Sequence, residues 1–285
     1  MEVLPCTPDL PCKIVFSALD SSVAGDIEKA FAEKGYVVIS CAKNHRMDEN
    51  VPLIIPEVNM DHLELIKKQK FPNGGMIVTK PNCAAIGLCL ALRPIMLEFG
   101  LDAVHVVTMQ SISGAGFPGV SSMSVLDNVI PYIADEEDRI ERESIKVLGS
   151  LQQGKIAFSD MKISAQCTRV PVNEGHLEAV SIKLKNSCKS DDIIRAWREF
   201  SPPCINLDLF SSPTPILTYF EEVDYPQPKL HKNLQKGMGV AIGRLKKDPI
   251  LDYKFFILSN NVVRGAAGGA ILTAELLIKQ GLVFW

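Results

Sequence analysis

Long apolar runs, clustered cysteines and an excess of either charge are missing from this 285-residue chain, and each absence removes a class of function. No stretch approaches ~18 uninterrupted apolar residues, which excludes a transmembrane helix. Thirty Lys and Arg stand against 33 Asp and Glu, a net charge of −3. With no basic stripe and no aromatic-rich basic segment, neither nucleic acid nor a membrane is an expected partner. The eight cysteines, Cys6, Cys12, Cys41, Cys83, Cys89, Cys167, Cys188 and Cys204, are scattered and none forms a C-x-x-C pair. That pattern argues against a disulfide framework and against a zinc or other metal site, and it points to a reducing, cytoplasmic setting. Met1–Lys13 has no basic n-region and no continuous apolar h-region, so it does not read as a signal peptide. A Walker A sequence and internal repeats are also absent.

What is present is the composition of an ordinary globular protein, 47% hydrophobic and 22% charged. The first 80 residues alternate strand and helix: strands at 13–19, 36–40 and 75–79, a helix at 23–34 and another opened by Asn59 and running to Lys68. Such alternation predicts an α/β fold with a parallel sheet. A helix from Asn82 to Phe99, stopped by Gly100, leads into a strand at 103–110 and an acidic helix near 135–148. From about Met161 the pattern changes. Residues 161–170 and 177–185 alternate in polarity around the turn PVNEG, which predicts an antiparallel hairpin. A helix at 191–200, an irregular Pro-rich surface stretch at 201–232, strands at 237–245 and 253–259, and a long helix at 261–280 complete the chain.

Cys83 is the first residue with evident chemical use. Asn82 is a favoured N-cap, so Cys83 stands at the first position of a helix, near the positive end of its dipole. Backbone N–H groups there suit a thiolate or an oxyanion; the alternative is a small buried residue beside a capping Asn. In the expected hairpin, Ile163, Ala165, Cys167 and Arg169 share one face, and His176, Glu178, Val180, Ile182 and Leu184 share another. Arg169 and His176 thus end two apolar faces. An Arg in register with a core face needs a partner, Glu174 or Glu178, or else a ligand. A thiol attacking a carbonyl needs a base nearby, so Cys83 and His176 form a candidate pair. The loop Gly114–Gly119 matches G-x-G-x-x-G, but Pro118 interrupts it and it does not open a first βαβ unit; it reads as a tight loop beside an active site.

The stretches KPNCAAIG, QSISGAGFPGVSSMSVLDNVIPYI, CTRVPVNEGH and NNVVRGAAGGAILTAE, in this order, resemble the aspartate-semialdehyde dehydrogenase family, most closely its archaeal and fungal branch. The resemblance runs over nearly the whole chain. It implies a Rossmann-like NADP-binding domain at 1–81 and 260–285, and a catalytic and dimerisation domain with a mixed or antiparallel sheet at 82–259. It implies Cys83 as nucleophile, His176 as acid/base and Gln110 near the reacting carbonyl. Arg169 would clamp the substrate α-carboxylate and Glu136 would meet its amino group. Arg46 and Asn82 would contact phosphate, and Arg139, also on the substrate side, stands where the family often has a lysine. Ser113, Gly114 and Asn261 would lie at the nicotinamide of NADP. The implied reaction is the reversible reduction of L-aspartyl 4-phosphate to L-aspartate 4-semialdehyde, by a homodimer or homotetramer acting on small-molecule substrate and phosphate.

One departure shapes a further expectation. The first strand, KIVFSAL, is followed by Asp20-Ser21-Ser22 rather than a GATGxVG-type loop. On this reading the chain lacks the N-terminal glycine-rich segment, on the order of 60 residues judged from βαβ unit size. NADP binding is then expected to be impaired and activity uncertain. A short acyl-CoA reductase of the same superfamily, and a non-catalytic truncated subunit serving as a dimerisation partner, stand as alternatives.

Overall fold

The computed structural model describes residues 3–283; Met1, Glu2, Phe284 and Trp285, which the expected cofactor domain includes, lie outside the described residues. Strands β1 (Ile14–Ser17), β2 (Val37–Ser40) and β3 (Met76–Thr79) form a three-stranded parallel sheet in the order β1-β2-β3. β2 and β3 are buried along their whole length, which is why VVIS and MIVT read as apolar runs rather than alternations. Helix α1 (Ser21–Glu33) joins β1 to β2, and its N-cap Asp20 accepts a hydrogen bond from Ser22 N–H at 2.9 Å. Its buried residues Ala24, Glu28, Phe31 and Ala32 fall on one helical face.

The segment expected as a helix opened by Asn59 is built differently. A short helix α2 (Pro56–Asn59) precedes a 3₁₀ stretch over Met60–Lys68. Asn59 does not cap that stretch; its side chain turns back to accept from Ile55 N–H and donate to the Leu53 carbonyl. An amide that can close a local ring with its own backbone does so in preference to capping.

Helix α3 (Cys83–Phe99) opens the second layer, followed by β4 (Leu101–Gln110), a one-turn α4 (Ser122–Val125) and α5 (Glu136–Val147). A hairpin of β5 (Ser150–Gln152) and β6 (Lys155–Ala157) comes next. The remaining elements are β7 (Lys162–Arg169), β8 (His176–Leu184), α6 (Ser190–Arg198), β9 (Leu217–Phe220), the short α7 (Pro228–His231), β10 (Val240–Lys247) and β11 (Tyr253–Ser259). A π-helical turn over Val263–Ala267 leads into α8 (Gly268–Lys279). β7, β4, β8, β11, β10 and β9 form, in that order, a six-stranded mixed sheet.

The expected hairpin of β7 and β8 does not form. β4 lies between them, parallel to β7 and antiparallel to β8. Alternation fixes which face a strand buries, not which strand lies beside it. The six residues 170–175 between them are long enough to step over one intervening strand, two spacings of about 4.8 Å each. The facial assignments survive: Ala165, Cys167 and Arg169 are buried together, as are His176, Glu178, Val180 and Ile182. The Pro-rich stretch is less irregular than expected, since β9 within it extends the sheet beside β10.

Helices α3 and α6 cover one sheet face. Their core includes Leu88, Leu92, Val104, Val180 and Trp197, with the Trp197 indole donating to the Ala91 carbonyl at 2.8 Å. A second cluster packs Leu272, Leu276 and Leu277 of α8 against Val37, Ile39 and Val78. The C-terminal helix thus returns to the parallel sheet. Arg264, at the entry to α8, is locked to Glu57 of α2 by two hydrogen bonds of 2.7 and 2.6 Å, both side chains fully buried.

Candidate functional site

The sheet topology gathers the reactive residues at one end. β4, β7 and β11 run the same way and finish there with Gln110, Arg169 and Ser259, whereas β8 runs against them and begins there with His176. Gln110 faces Arg169 across one strand pair, and His176 faces Ser259 across another. The N-terminus of α3 enters from the side and brings Cys83 to the same end. Its sulfur lies 3.3 Å from His176 Nε2, within contact distance for proton transfer.

His176 is fully buried, and burial, followed by the Arg169 charge, depresses its pKa to about 3. It is therefore neutral. Its Nδ1 lies 3.2 Å from both the N–H and the hydroxyl of Ser111. The N–H donates to Nδ1 while that nitrogen is bare; when Nδ1 carries the proton it donates to the hydroxyl oxygen instead, and the Ser111 N–H loses its acceptor. Burial and the nearby Glu136 push the Cys83 thiol up to about 11, with Lys80 and Arg46 pulling the other way. Because the thiol is only half-buried at the cavity wall, solvent moderates the rise. The resting pair is thiol and imidazole, not thiolate and imidazolium.

The expected N–H groups at the helix start are mostly engaged. Asn82 Oδ1 accepts from Ala84 and Ala85 N–H, and Asn82 N–H donates to Glu143 at 2.6 Å. Asn82 Nδ2 and Gln110 Nε2 both donate to Glu136 Oε1, at 2.8 and 2.9 Å. Arg139 binds the other Glu136 oxygen at 2.9 Å. Gln110 is buried behind Glu136 and is not among the residues lining the cavity. Arg169 donates to the Ser111 carbonyl at 2.7 Å, and its Nε has no partner. Neither expected carboxylate takes it. Glu174 holds Lys232 and Asn260, and both Glu178 oxygens are buried without a partner.

The cavity beside Cys83, about 590 Å³, is lined by Arg46, Lys80, Asn82, Glu136, Arg139 and Arg169 among others. Arg46 is paired with Glu143 at 2.8 Å. Ser113, Gly114 and Asn261 form another wall. Asn261 Oδ1 accepts from the Ser111 hydroxyl and Gly175 N–H, and its Nδ2 donates to Ser113 Oγ. It ties the loop after β4 to the end of β11 and leaves one amide hydrogen. Two bare backbone positions flank the thiol. A Cβ on Gly114 would meet Arg169 Nη1 at 2.8 Å and the His176 ring at 3.0 Å, and one on Gly265 would meet Cys83 Cβ at 2.6 Å. Those walls and the remaining Asn261 hydrogen fit a flat carboxamide-bearing ring.

Sequence reasoning missed Lys80, Ser111, Glu143 and Gly265. Glu143 had a signal: with Glu136 and Arg139 it keeps the helical repeat on one face of α5. Gly265 opens the small-residue run GAAGGA, which permits close backbone approach; Lys80 and Ser111 carry none, because only the tertiary contacts select them.

A semialdehyde dehydrogenase NAD binding domain model matches residues 6–66, and a semialdehyde dehydrogenase dimerisation domain model matches residues 92–264. The aspartate-semialdehyde dehydrogenase of Archaeoglobus fulgidus is 46% identical over 99% of this chain and 82% of its own length. That of Candida albicans is 41% identical, again over 99% of the chain and 82% of the relative. The crystal structure of aspartate-semialdehyde dehydrogenase with NADP from Candida albicans superposes with a TM-score of 0.92, at 38% identity, over 99% of this chain and 83% of that one. A Vibrio cholerae homologue, 24% identical with a TM-score of 0.77 over 93% of this chain and 79% of its own, shares the fold.

These matches overturn three expectations. The NAD binding domain is present at residues 6–66, so the chain is not to be read as lacking it. Impaired NADP binding is not expected either, since the NADP-bound relative superposes over 99% of the chain. With both domains matched and Cys83 in contact with His176, the expectation of uncertain activity in a truncated or non-catalytic subunit is withdrawn. The match does not depend on a glycine-rich turn after KIVFSAL: it spans the βαβ unit β1–α1–β2 and the residues beyond it, as far as residue 66. The chain belongs to the aspartate-semialdehyde dehydrogenase family.

Proposed function

We propose that this protein interconverts L-aspartyl 4-phosphate and L-aspartate 4-semialdehyde with NADP, through an acyl thioester on Cys83. The observation that carries the reading is the 3.3 Å contact between Cys83 Sγ and His176 Nε2, beside a cavity rich in arginine. In the oxidative direction Sγ adds to the aldehyde carbon while the bare Nε2 of His176 takes the thiol proton, its Nδ1–H held by the Ser111 hydroxyl. NADP, when bound along Ser113, Gly114 and Asn261, supplies the hydride acceptor. Loss of hydride from that adduct leaves the thioester; a phosphate oxygen then attacks its carbon, the C–S bond breaks, Cys83 recovers its proton from His176, and the proton of the attacking hydrogen phosphate passes to solvent.

Arg169, with no carboxylate of its own, suits a bidentate grip on the substrate α-carboxylate. Glu136 faces the amino group, and Arg46, Asn82 and Arg139 serve the phosphate. Gln110 acts from behind, by holding Glu136. The phosphate-directed cations favour an acyl phosphate over an acyl-CoA. Residues 1–81 with 260–285 constitute the cofactor half, and 82–259 the catalytic half.

A second copy of the chain covers the sheet face opposite α3, giving a homodimer or a homotetramer. There the register aligns half-buried Val107, Ala179 and Phe256 in a row across three strands. Among the described residues no helix is long and apolar enough to cross a membrane, and we place the reaction, with its water-soluble reactants, in the cytoplasm. The test is phosphate-dependent reduction of NADP by aspartate semialdehyde, monitored through the absorbance of the reduced nicotinamide. The wild-type chain should turn over and Cys83→Ser should not; a wild type that turns over without phosphate, or not at all, sinks the reading.

A further inference from the structure

Lys80 is a buried cation with no anion to hold. It leaves the C-terminal end of β3, with its N–H on the Ser40 carbonyl, at the edge where open parallel sheets place their ligands. Only 4% of it is exposed, yet it lines the cavity that contains Cys83, Arg46 and Arg139. Its ammonium makes one hydrogen bond, at 3.1 Å, to the carbonyl of its own neighbour Pro81. No carboxylate among the described residues pairs with it, because Glu143 is occupied by Arg46 and Asn82 N–H, and Glu136 by Arg139, Asn82 and Gln110.

The charges around the cavity do not balance. Arg46, Lys80, Arg139 and Arg169 line it, against two carboxylates, Glu136 in the wall and Glu143 behind Arg46, each already matched to one arginine. The surplus is Lys80 and Arg169. A buried ammonium without a counter-ion is unfavourable, and burial here lowers the Lys80 pKa. An anion in the cavity removes that cost. Lys80 and Arg169 come from different elements, the end of β3 and the end of β7, so two anionic groups on one ligand satisfy them separately.

Resting on the proposed reaction, we infer that Lys80 is a phosphate-binding residue of this site, which completes the cradle formed by Arg46, Asn82 and Arg139. Its ammonium meets the phosphate of the acyl phosphate, and of the inorganic phosphate that cleaves the thioester, while Arg169 takes the carboxylate. Of its three hydrogens one is bound to Pro81, and two remain for phosphate oxygens.

The experiment uses the full chain and inorganic phosphate as probe, in two independent readouts. In the first, phosphate protects Cys83 from iodoacetamide, with no cofactor present. In the second, the KM for phosphate is measured during aldehyde oxidation. Lys80→Met should weaken phosphate in both by roughly 10- to 100-fold, the value of a hydrogen bond to a charged group, and leave the KM for the aldehyde as in wild type. Lys80→Arg should retain part of the phosphate affinity. Removing a buried unpaired charge does not endanger the fold, and Lys80→Gln is a second variant of similar length. Unchanged phosphate protection in Lys80→Met or Lys80→Gln overturns the inference. So does a shift confined to the pH profile of Cys83 alkylation, which would make Lys80 a neighbour of the thiolate instead. A wild type that is protected by phosphate but does not oxidise the aldehyde refutes the proposed reaction and leaves the phosphate site standing.

Discussion

Lowering the pH below 6.5 should cost this protein stability through one ring. His176 is wholly enclosed, beside Arg169, and its pKa falls from 6.5 to about 3. Linkage sets the sign. Above pH 6.5 the ring is neutral in both the folded and the unfolded chain and adds no pH dependence. Below 6.5 the unfolded chain takes up a proton that the folded one refuses, so stability declines until the folded ring protonates near 3. Each pH unit in that window costs about 1.4 kcal/mol. Between pH 7 and pH 4.5 the loss from this residue is therefore roughly 2.5 kcal/mol, a large part of the stability of an ordinary domain. The perturbation that isolates it is His176→Asn, which keeps a polar group facing Ser111 but does not titrate. Urea unfolding of wild type and variant at a series of pH values gives the difference in stability between them. That difference should move by the same ~2.5 kcal/mol in the variant's favour as pH falls from 7 to 4.5. A constant difference across this range would show that the folded ring takes up its proton at the same pH as the unfolded one. The neutral pair deduced from its surroundings would then fail below pH 6.5.

Iodoacetamide alkylation of Cys83 should keep accelerating as pH rises towards about 11, with no plateau around neutrality; a plateau between pH 5 and 8 would mean a thiolate–imidazolium pair instead. Glu178→Gln should be more stable than wild type at neutral pH. The folded carboxyl is held protonated by burial and by Glu136 whereas the unfolded one ionises, so stability is lost as pH rises above the ordinary carboxylate range; a variant destabilised equally at every pH would refute this. Glu57→Leu should lower the melting temperature by an amount worth about 3–5 kcal/mol, because it strands Arg264 without its buried partner. Glu57→Leu with Arg264→Met should recover most of that loss, and failure to do so would locate the strain elsewhere. Gly114→Ala should abolish turnover in a folded protein, since its Cβ would stand 2.8 Å from Arg169 Nη1 and 3.0 Å from the His176 ring; near wild-type kcat would show that the loop yields freely.

Cys83 and the end of β8 were legible from the sequence because they depend on local rules. An Asn before a helical run makes a cap, and alternation over residues 176–184 buries His176 and Glu178 on one side whatever lies next to the strand. The layered α/β class was legible for the same reason, through apolar runs for parallel strands and a one-sided stripe for α1. Neighbour relations were not. Polarity at period two is identical whether β8 pairs with β7 or with β4, so the expected hairpin and the observed insertion of β4 share one pattern. The extent of the cofactor domain was misread because a single glycine turn was made to stand for a whole βαβ arrangement. Lys80 shows the limit most plainly. In the chain it is a lysine after a strand, and such residues ordinarily face water. That it is enclosed, a surplus cation beside Arg169 in a cavity with Cys83, is fixed only when the end of β3, the start of α3 and the flank of α5 close around it, since burial and charge balance belong to the assembled surfaces and not to any one segment.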